Sequence, residues 1–250
     1  MPRKNLWKAV QKKNMSSIID FHSHVLPGID DGSQSIEESL EMMRLSAAQG
    51  VDCMIATPHF YAHHDEPKAF LRRRAEAEQR LREAMADQPL PKLALGAEVY
   101  YFNGISDSDT LLELTIQQKR YILLEMPMTE WTDRMYRDLE GIWIKQGLMP
   151  IIAHIDRYIS PFHSRGVMER LAKLPVLVQA NASFFTSGST RKMAMRMLKN
   201  GQIHLLGSDC HNLTDRAPNL ADAVKAIEKK LGIESIYRIN YYEDEVLVGE

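Results

Sequence analysis

The sequence lacks three things: a set of cysteines, a long apolar run and a strong net charge. Its 250 residues include only Cys53 and Cys210, too few for a disulfide framework, which suits the reducing cytoplasm. Its 31 basic and 33 acidic side chains leave a net charge of −2, which gives no sign of nucleic acid or an anionic membrane as a partner. No apolar run is long enough to span a bilayer. We therefore expect a cytoplasmic protein with no membrane insertion and no nucleic-acid partner.

The composition is that of an ordinary globular protein. Hydrophobic residues make up 44% of the chain and charged residues 26%, and the length is enough to bury a sizeable core. Residues 1–17 are basic and contain Trp7, but they lack the apolar centre of a signal peptide. No glycine-rich linker or break in composition divides the remainder. We therefore predict an N-terminal arm, residues 1–17, followed by one domain, residues 18–250.

Strand and helix patterns alternate along that domain. The predicted strands are residues 18–21, 51–57, 93–99, 121–126, 149–154, 176–180 and 203–207. The predicted helices are at about residues 35–50, 67–86, 110–118, 132–146, 163–173, 189–200 and 217–231. The tail, residues 233–250, has no clear pattern and includes a candidate strand.

Three helix-to-strand junctions contain a glycine at the same place, namely Gly50, Gly147 and Gly201. Glycine at this position ends a helix in the left-handed conformation. Repeated strand–helix units with short turns imply a parallel sheet, and about seven units favour a closed or distorted barrel. No Gly-x-Gly-x-x-Gly follows the first strand, which weighs against a dinucleotide-binding fold.

Metal-ligating side chains recur at the carboxyl ends of the predicted strands, where a βα barrel carries its chemistry. His22 and His24 lie two residues apart on one strand and so share a face. Taken alone, this pair fits one buried and one exposed histidine better than a metal site. Glu98 and Glu125, however, end apolar strands, where a carboxylate is costly unless it is paired or bound to metal. The full set, including one residue of the first loop, is His22, His24, Asp31, His59, Glu98, Glu125, His154, Asp209 and His211. Together these residues predict a metal site.

The number and type of these donors indicate more than one ion. A zinc ion takes about four ligands, so nine donors favour two or three ions that share carboxylates. Histidine and carboxylate ligands without thiolate suit manganese, iron or zinc. Arg157 and Arg216 follow the predicted ligands His154 and His211 closely, and an arginine fork suits a phosphate group. The alternative for each arginine is a surface salt bridge, for instance between Arg216 and Asp215.

Several motifs in residues 18 to about 220 resemble those of a known family. The most specific is His22-Ser23-His24-Val25-Leu26-Pro27-Gly28-Ile29-Asp30-Asp31-Gly32, and the others are Ala56-Thr57-Pro58-His59, Gly96-Ala97-Glu98, Leu124-Glu125, Ala153-His154-Ile155-Asp156-Arg157 and Gly207-Ser208-Asp209-Cys210-His211. They resemble the polymerase-and-histidinol-phosphatase (PHP) superfamily. More narrowly, they are similar to its bacterial tyrosine-protein phosphatases from capsular and exopolysaccharide operons.

The resemblance implies a fold and a metal centre. The fold would be a single-domain, distorted TIM-like (β/α)7 barrel of the PHP type. Manganese would be the usual metal, in a centre of two or three ions, with every ligand position of the family filled. One ion would be held by His22, His24, Glu98 and Asp209, a second by Glu98, Glu125 and His154, and a third by Asp31, His59 and His211.

The resemblance also implies a reaction and a partner. A metal-bound hydroxide would attack phosphotyrosine, because metal ions lower the pKa of bound water, and Arg157 and Arg216 would bind the phosphoryl group. The leaving group would be a phenolate, whose conjugate acid has a pKa of about 10, so the reaction would not need an obvious general acid. Asp156 and Asp215 are weak candidates for that acid. The partner would be the phosphotyrosine tail of a membrane-associated, polysaccharide-polymerising bacterial tyrosine kinase. Self-association into a homo-oligomer is a further expectation from the family.

Three rival hypotheses remain open at this point. Cys210 and Arg216 have the Cys-x5-Arg spacing of thiolate-dependent phosphatases, although no glycine between them allows a tight amide cradle. The same metals would also serve a small-molecule phosphomonoesterase of the histidinol-phosphatase kind. A third rival is a regulatory binding module that keeps metal without turnover. Of the smaller signals, Tyr100, Tyr101 and Phe102 fit a substrate entrance and core packing equally well.

Overall fold

The computed structural model describes residues 18–159 and 166–248. The predicted arm, residues 1–17, and the start of the helix predicted at residues 163–173 lie outside these ranges. Nine strands occur in the described residues: β1 (Ile18–Ser23), β2 (Val51–Ala56), β3 (His59–Phe60), β4 (Lys92–Leu95), β5 (Glu98–Tyr100), β6 (Tyr121–Glu125), β7 (Met149–Ile152), β8 (Leu177–Asn181) and β9 (Leu205–Gly207).

All strand pairs are parallel, and the strands curl into a distorted barrel. One sheet has the order β1-β2-β4 and the other β3-β5-β6-β7-β8-β9. The chain runs from β2 into β3 and from β4 into β5 with only two residues between, so the two sheets continue each other. The last strand returns to the first, because Asp209 N–H donates to the His22 carbonyl (2.8 Å) and His24 N–H donates to the Cys210 carbonyl (2.9 Å). Seven strand positions therefore surround one core, which confirms the predicted (β/α)7 barrel class.

Nine α-helices connect and cover the strands in the described part of the chain. They are α1 (Ile36–Ala48), α2 (Pro67–Met85), α3 (Leu111–Leu114), α4 (Asp133–Gln146), α5 (Val167–Leu171), α6 (Ala182–Thr186), α7 (Arg191–Lys199), α8 (Leu220–Leu231) and α9 (Ile233–Val248). The Ser35 side chain accepts from the Glu38 N–H and caps α1, at the start of the helix predicted at about residues 35–50. The three junction glycines all have positive φ angles, which confirms the left-handed helix ends.

The structure corrects the prediction for the tail. Residues 233–248 form helix α9, not a strand. Val246 of α9 packs against Ile19, Tyr121 and Leu123 inside the barrel. The tail's apolar residues therefore close the end of the barrel at which the strands begin. This long-range packing leaves no signal in the tail's local sequence.

Two other strand predictions were too long. The strand predicted at residues 93–99 is interrupted at Gly96 and Ala97, so Glu98 begins β5 rather than ending one strand. The strand predicted at residues 149–154 ends at Ile152, and His154 has a φ angle of 29°. Both breaks occur just before a predicted ligand and turn its side chain towards the rim. Among the helices of the described residues, none is long and apolar enough to cross a membrane.

Candidate metal centre

The structure brings all nine predicted ligands to one rim of the barrel. Seven of them lie near the carboxyl ends of strands or in the loops that follow, whereas His59 and Glu98 begin the short strands β3 and β5, which continue β2 and β4 at the same rim. Most of them are buried, with His22 and His154 fully covered, whereas the Asp31 side chain is 66% exposed. A single cluster of imidazoles and carboxylates results, from residues up to 189 positions apart (His22 to His211).

Glu98 lies at the centre of the cluster. Its Oε2 is 3.1 Å from His22 Nε2, 3.3 Å from His24 Nε2 and 3.0 Å from His59 Nδ1. Its Oε1 is 2.8 Å from His154 Nε2. One carboxylate thus touches four imidazoles and has the two oxygens that a bridging ligand needs.

The spacing of the donor atoms fits shared metal ions. Two ligands about 2.1 Å from one ion, at angles of about 90 to 110°, lie about 3.0 to 3.5 Å apart. His22 Nε2 and His24 Nε2 are 3.1 Å apart, and each is 3.6 Å from Asp209 Oδ1. Two facing imidazole nitrogens at this distance repel each other unless a proton or a cation lies between them.

Several buried donor atoms also lack a hydrogen bond. Glu98 Oε2, His59 Nδ1 and His211 Nε2 are buried atoms without a hydrogen-bond partner. Although the first two are 3.0 Å apart, their geometry is not that of a hydrogen bond. Unsatisfied buried polar atoms are rare in folded proteins and point to a missing ligand. The residues present therefore fit a group of bound cations.

Three groups of donors are compact enough to hold one ion each. They are His24, Asp31, His59 and His211; His22, His24 and Asp209; and His59, Glu98 and Glu125. These groups overlap with the predicted sets but are not identical to them. His24 joins the Asp31 group, and His59 joins the two glutamates in the place predicted for His154. His154 still contacts the cluster, because its Nε2 is 3.6 Å from Glu125 Oε1.

Asp30 orients two predicted ligands and was not among the predicted site residues. Its Oδ2 accepts from His24 Nδ1 at 2.8 Å and from the His59 N–H at 3.0 Å, while its Oδ1 accepts from the Gly32 N–H at 2.9 Å. A proton on His24 Nδ1 leaves Nε2 free to bind metal. The sequence signal was present, because Asp30 stands beside Asp31 in the most specific motif.

Buried amides orient the ligands on the other side. The Gln179 Oε1 accepts from the His154 N–H at 2.6 Å and lies 3.4 Å from His22 Nδ1. The Gln179 amide donates to Asn181 Oδ1 at 3.1 Å, and the Asn181 amide donates to Asp209 Oδ2 at 3.0 Å. A glutamine inside a predicted apolar strand was the signal that the sequence offered for this chain of bonds.

Close packing fixes the position of His22. A Cβ atom on Gly207 would lie 2.6 Å from the His22 Cβ and 2.8 Å from Gln179 Nε2. Only glycine fits at this point of β9. Asp20 on the same β1 strand accepts from the Ser208 N–H at 2.8 Å and ties the start of the Asp209 loop to β1.

The electrostatics of the cluster favour cations. Burial opposes the charge on Asp209, but His22, His24 and Arg157 hold the pKa of its carboxyl below the usual range. Burial likewise opposes a charged His24, yet its hydrogen bond to Asp30 and the nearby charge of Glu98 raise its pKa to about 10. The buried carboxylates of the cluster therefore favour a positive charge beside them.

Both predicted phosphate-binding arginines reach the cluster. Arg157 Nη2 is 2.5 Å from Asp209 Oδ2, and Arg216 Nη2 is 2.9 Å from Asp209 Oδ1. Arg157 Nη1 is also 3.7 Å from Glu125 Oε1. About a third of each arginine side chain is exposed, 33% and 35%, so both remain accessible to a bound anion. The salt bridge considered between Arg216 and Asp215 is replaced by this contact with Asp209.

The thiolate hypothesis does not fit the structure. Cys210 is fully buried, and burial together with Asp20 raises the pKa of its thiol. A nucleophilic thiol needs an accessible sulfur and a lowered pKa.

Of the two weak candidates for a general acid, Asp215 has a lowered pKa because of hydrogen bonds to its own backbone and to Asn212. The other candidate, Asp156, accepts a hydrogen bond at its Oδ1 from the Asn181 N–H at 3.0 Å.

Comparison with known proteins agrees with this geometry. The model of the family "Capsular polysaccharide synthesis, CpsB/CapC" matches residues 18–248. The tyrosine-protein phosphatase YwqE of Bacillus subtilis is 29% identical over 238 residues, which cover 89% of this chain and 88% of that protein. The tyrosine-protein phosphatase CpsB of Streptococcus pneumoniae is 30% identical over 230 residues, which cover 86% and 91%.

Solved structures show the same fold. One structure from a study of YwqE and CpsB, described there as unique metal-dependent tyrosine phosphatases, superposes with a TM-score of 0.82 at 24% identity. The match covers 93% of this chain and 95% of that one. A histidinol phosphate phosphatase of Lactococcus lactis, complexed with zinc, L-histidinol and phosphate, gives a TM-score of 0.54 at 12% identity, covering 85% and 93%. The chain belongs to the CpsB/CapC family of capsular polysaccharide synthesis.

Proposed function

We propose that this protein is a metal-dependent tyrosine-protein phosphatase that removes phosphate from phosphotyrosine in a protein substrate. The observation that carries the proposal is the convergence of the nine predicted ligands and two arginines on one accessible rim. The activity in the names of the related YwqE and CpsB proteins supports the same reaction.

The nine predicted ligands would hold two or three ions around Glu98, with manganese as the expected metal. Mixed imidazole and carboxylate donors also suit iron and zinc. When bound, the metals supply an activated water near neutral pH and neutralise charge on the phosphoryl oxygens.

The chain's own residues bind and orient the substrate. Arg157 and Arg216 present guanidinium groups at the mouth of the cluster, where they would exchange their contact with Asp209 for the phosphoryl oxygens. Those oxygens gain charge in the transition state, so these contacts strengthen as the reaction proceeds. A tyrosine phenolate has a conjugate acid of pKa about 10 and leaves with little help, which is compatible with a site without an evident general acid.

The substrate we propose is the phosphotyrosine tail of a bacterial tyrosine kinase that controls capsular or extracellular polysaccharide synthesis. The family's place in capsular polysaccharide synthesis supports this partner. The cytoplasm is the proposed compartment, and two free cysteines fit a reducing environment. The family match begins at residue 18, which supports a boundary between an N-terminal arm and the phosphatase domain.

The proposal is tested by turnover measurements on the full chain reconstituted with Mn²⁺, Fe²⁺ or Zn²⁺. Phosphate release from a phosphotyrosine peptide should require metal and stop after chelation, whereas thiol alkylation should leave it intact. Faster hydrolysis of small phosphate esters than of phosphopeptides would favour the rival small-molecule phosphomonoesterase. Metal binding without any phosphate release would favour the regulatory binding module.

A further inference from the structure

Two tyrosines form an aromatic wall beside the metal cluster. Tyr61 follows β3, and Tyr100 ends β5, the neighbouring strand. Their ring centroids are 5.6 Å apart, with the ring planes tilted by 45°. Both residues are half-buried, so part of each remains accessible to solvent. We call this pair, Tyr61 and Tyr100, the aryl wall.

The aryl wall is in direct contact with the proposed catalytic centre. The Tyr61 ring stacks on the His59 ring at 5.3 Å with 27° between the planes. His59 in turn lies 3.0 Å from the central carboxylate of Glu98. Tyr100 pairs with Glu125 across the β5–β6 ladder, and the Glu125 carboxylate is 3.7 Å from Arg157. The wall and Arg157, the proposed phosphate-binding arginine, therefore lie next to the same predicted ligand, Glu125.

Core packing does not account for the aryl wall. Tyr101, the next residue after Tyr100, is only 5% exposed, and its hydroxyl donates to Asp138 at 2.7 Å. Tyr158 is 1% exposed and accepts from the Met126 N–H. These two are structural tyrosines with buried rings and satisfied hydroxyls. Tyr61 and Tyr100 instead are only half-buried and lie at the rim where the substrate must enter.

We propose that Tyr61 and Tyr100 form the subsite for the aromatic ring of the substrate, and thereby select aryl phosphates over alkyl phosphates. This inference rests on the proposed phosphatase function and adds the residues that discriminate the leaving group. The ring of an aryl phosphate is separated from phosphorus by a single ester oxygen. A phosphoryl group held beside Arg157 therefore brings that ring to the rim, where an aromatic partner gains both area and favourable ring–ring geometry.

The test must separate ring recognition from leaving-group acidity. A phosphotyrosine peptide is compared with the phosphate ester of a fluorinated alkyl alcohol whose acidity matches that of phenol. We expect Tyr61→Leu and Tyr100→Leu each to lower kcat/KM for the phosphotyrosine peptide by about three- to tenfold, the value of one aromatic contact. Turnover of the fluoroalkyl ester should stay within twofold of the unsubstituted protein. Tyr61→Phe and Tyr100→Phe, which keep the rings, should retain the preference.

Competitive inhibition supplies a second measurement that does not depend on turnover. Benzylphosphonate and cyclohexylmethylphosphonate have the same shape at phosphorus, but only the first carries an aromatic ring. The unsubstituted protein should bind benzylphosphonate more tightly, and the leucine variants should lose that difference. Tyr241→Leu is the matched control, because Tyr241 also packs on a neighbouring tyrosine ring at 5.5 Å but lies on α9, at the opposite end of the barrel.

The outcomes distinguish the two levels of the proposal. An equal loss on both esters in the leucine variants, or a loss on neither, overturns the aryl wall and leaves the phosphatase function standing. The aryl wall is overturned as well if the leucine substitutions weaken the binding of the two phosphonates by the same factor. If the unsubstituted protein hydrolyses neither ester with any metal, the proposed function itself fails, and the subsite proposal fails with it.

Discussion

Replacing Asp30 by asparagine should weaken metal binding although Asp30 is not itself a predicted ligand. The Asp30 carboxylate accepts three N–H groups, from His24 Nδ1, the Gly32 backbone and the His59 backbone, at 2.8, 2.9 and 3.0 Å. An amide has only one oxygen. In one orientation its NH₂ group faces the Gly32 N–H, and in the other it faces both His24 and His59. The second orientation forces the proton of His24 from Nδ1 to Nε2, the atom that points at the metal cluster.

The magnitude follows from the position of His24 in the cluster. Loss of a partner that orients a ligating histidine typically costs about 10- to 100-fold in metal affinity, or about 1.4 to 2.7 kcal/mol. His24 belongs to two of the three donor groups, so two ions should be affected. We expect Asp30→Asn to raise the metal Kd by about 10- to 100-fold, with activity largely restored by excess metal.

The assay is calorimetric titration of the chelated protein with Mn²⁺, followed by turnover at limiting and at saturating metal. Asp52→Asn is the matched control. Asp52 also accepts a backbone N–H, that of Ile18 at 3.0 Å, but at the opposite end of β1 and on the surface. A metal Kd within twofold of the unsubstituted protein for Asp30→Asn, or the same loss for Asp52→Asn, would refute the role of Asp30.

Three further predictions concern the arginines, the packing around His22 and the pH dependence of stability. Arg216→Lys keeps the positive charge but loses the guanidinium fork. The kcat/KM for a phosphotyrosine peptide should therefore fall about 100-fold, while the metal content stays unchanged. A loss below threefold would contradict phosphate binding by Arg216. Gly207→Ala places a methyl group within 2.6 Å of the His22 Cβ. The substitution should lower the unfolding free energy by about 1 to 3 kcal/mol, measured by denaturant unfolding, and reduce the metal content, measured by metal analysis. If neither quantity changes, the close packing of Gly207 against His22 is contradicted. Burial and Arg238 lower the pKa of His204 from 6.5 to about 4. As the pH falls, His204 therefore becomes protonated in the unfolded chain before it does so in the folded protein. The unfolding free energy should decrease by about 2 to 3 kcal/mol as the pH falls from about 6.5 to 4. His204→Asn, which can still accept from the Val178 N–H, should remove that part of the pH dependence, and an unchanged slope would contradict it.

The barrel could be predicted from the sequence because the signals for its strands and helices come from residues that are close together in the chain. The Ser35 cap and the positive-φ glycines at the helix ends set the order of strands and helices, and that order restricts the fold to few topologies. Eight of the nine candidate ligands were found because each stands at or just beyond the end of a predicted strand, where barrel chemistry is concentrated, and Asp31 was added from the first loop.

The parts that the sequence did not predict depend on contacts between distant residues. Gln179 contacts His22 and His154 across 157 and 25 positions, respectively, and His154 has a φ angle of 29° just beyond the end of β7. The tail forms helix α9, and its Val246 joins the apolar cluster inside the barrel, whose other members lie far away in the sequence. The way in which the donors divide among ions is also set by three-dimensional spacing, which no motif encodes.

Anomalous diffraction from crystals of the full chain grown with Mn²⁺ would show directly whether the nine predicted ligands hold metal ions. We predict two or three manganese peaks at the rim of the barrel, with Glu98 within about 2.3 Å of at least one ion and the other donors drawn from the nine predicted ligands. Peaks confined to other surfaces, or no peak within reach of Glu98 at saturating Mn²⁺, would contradict the account.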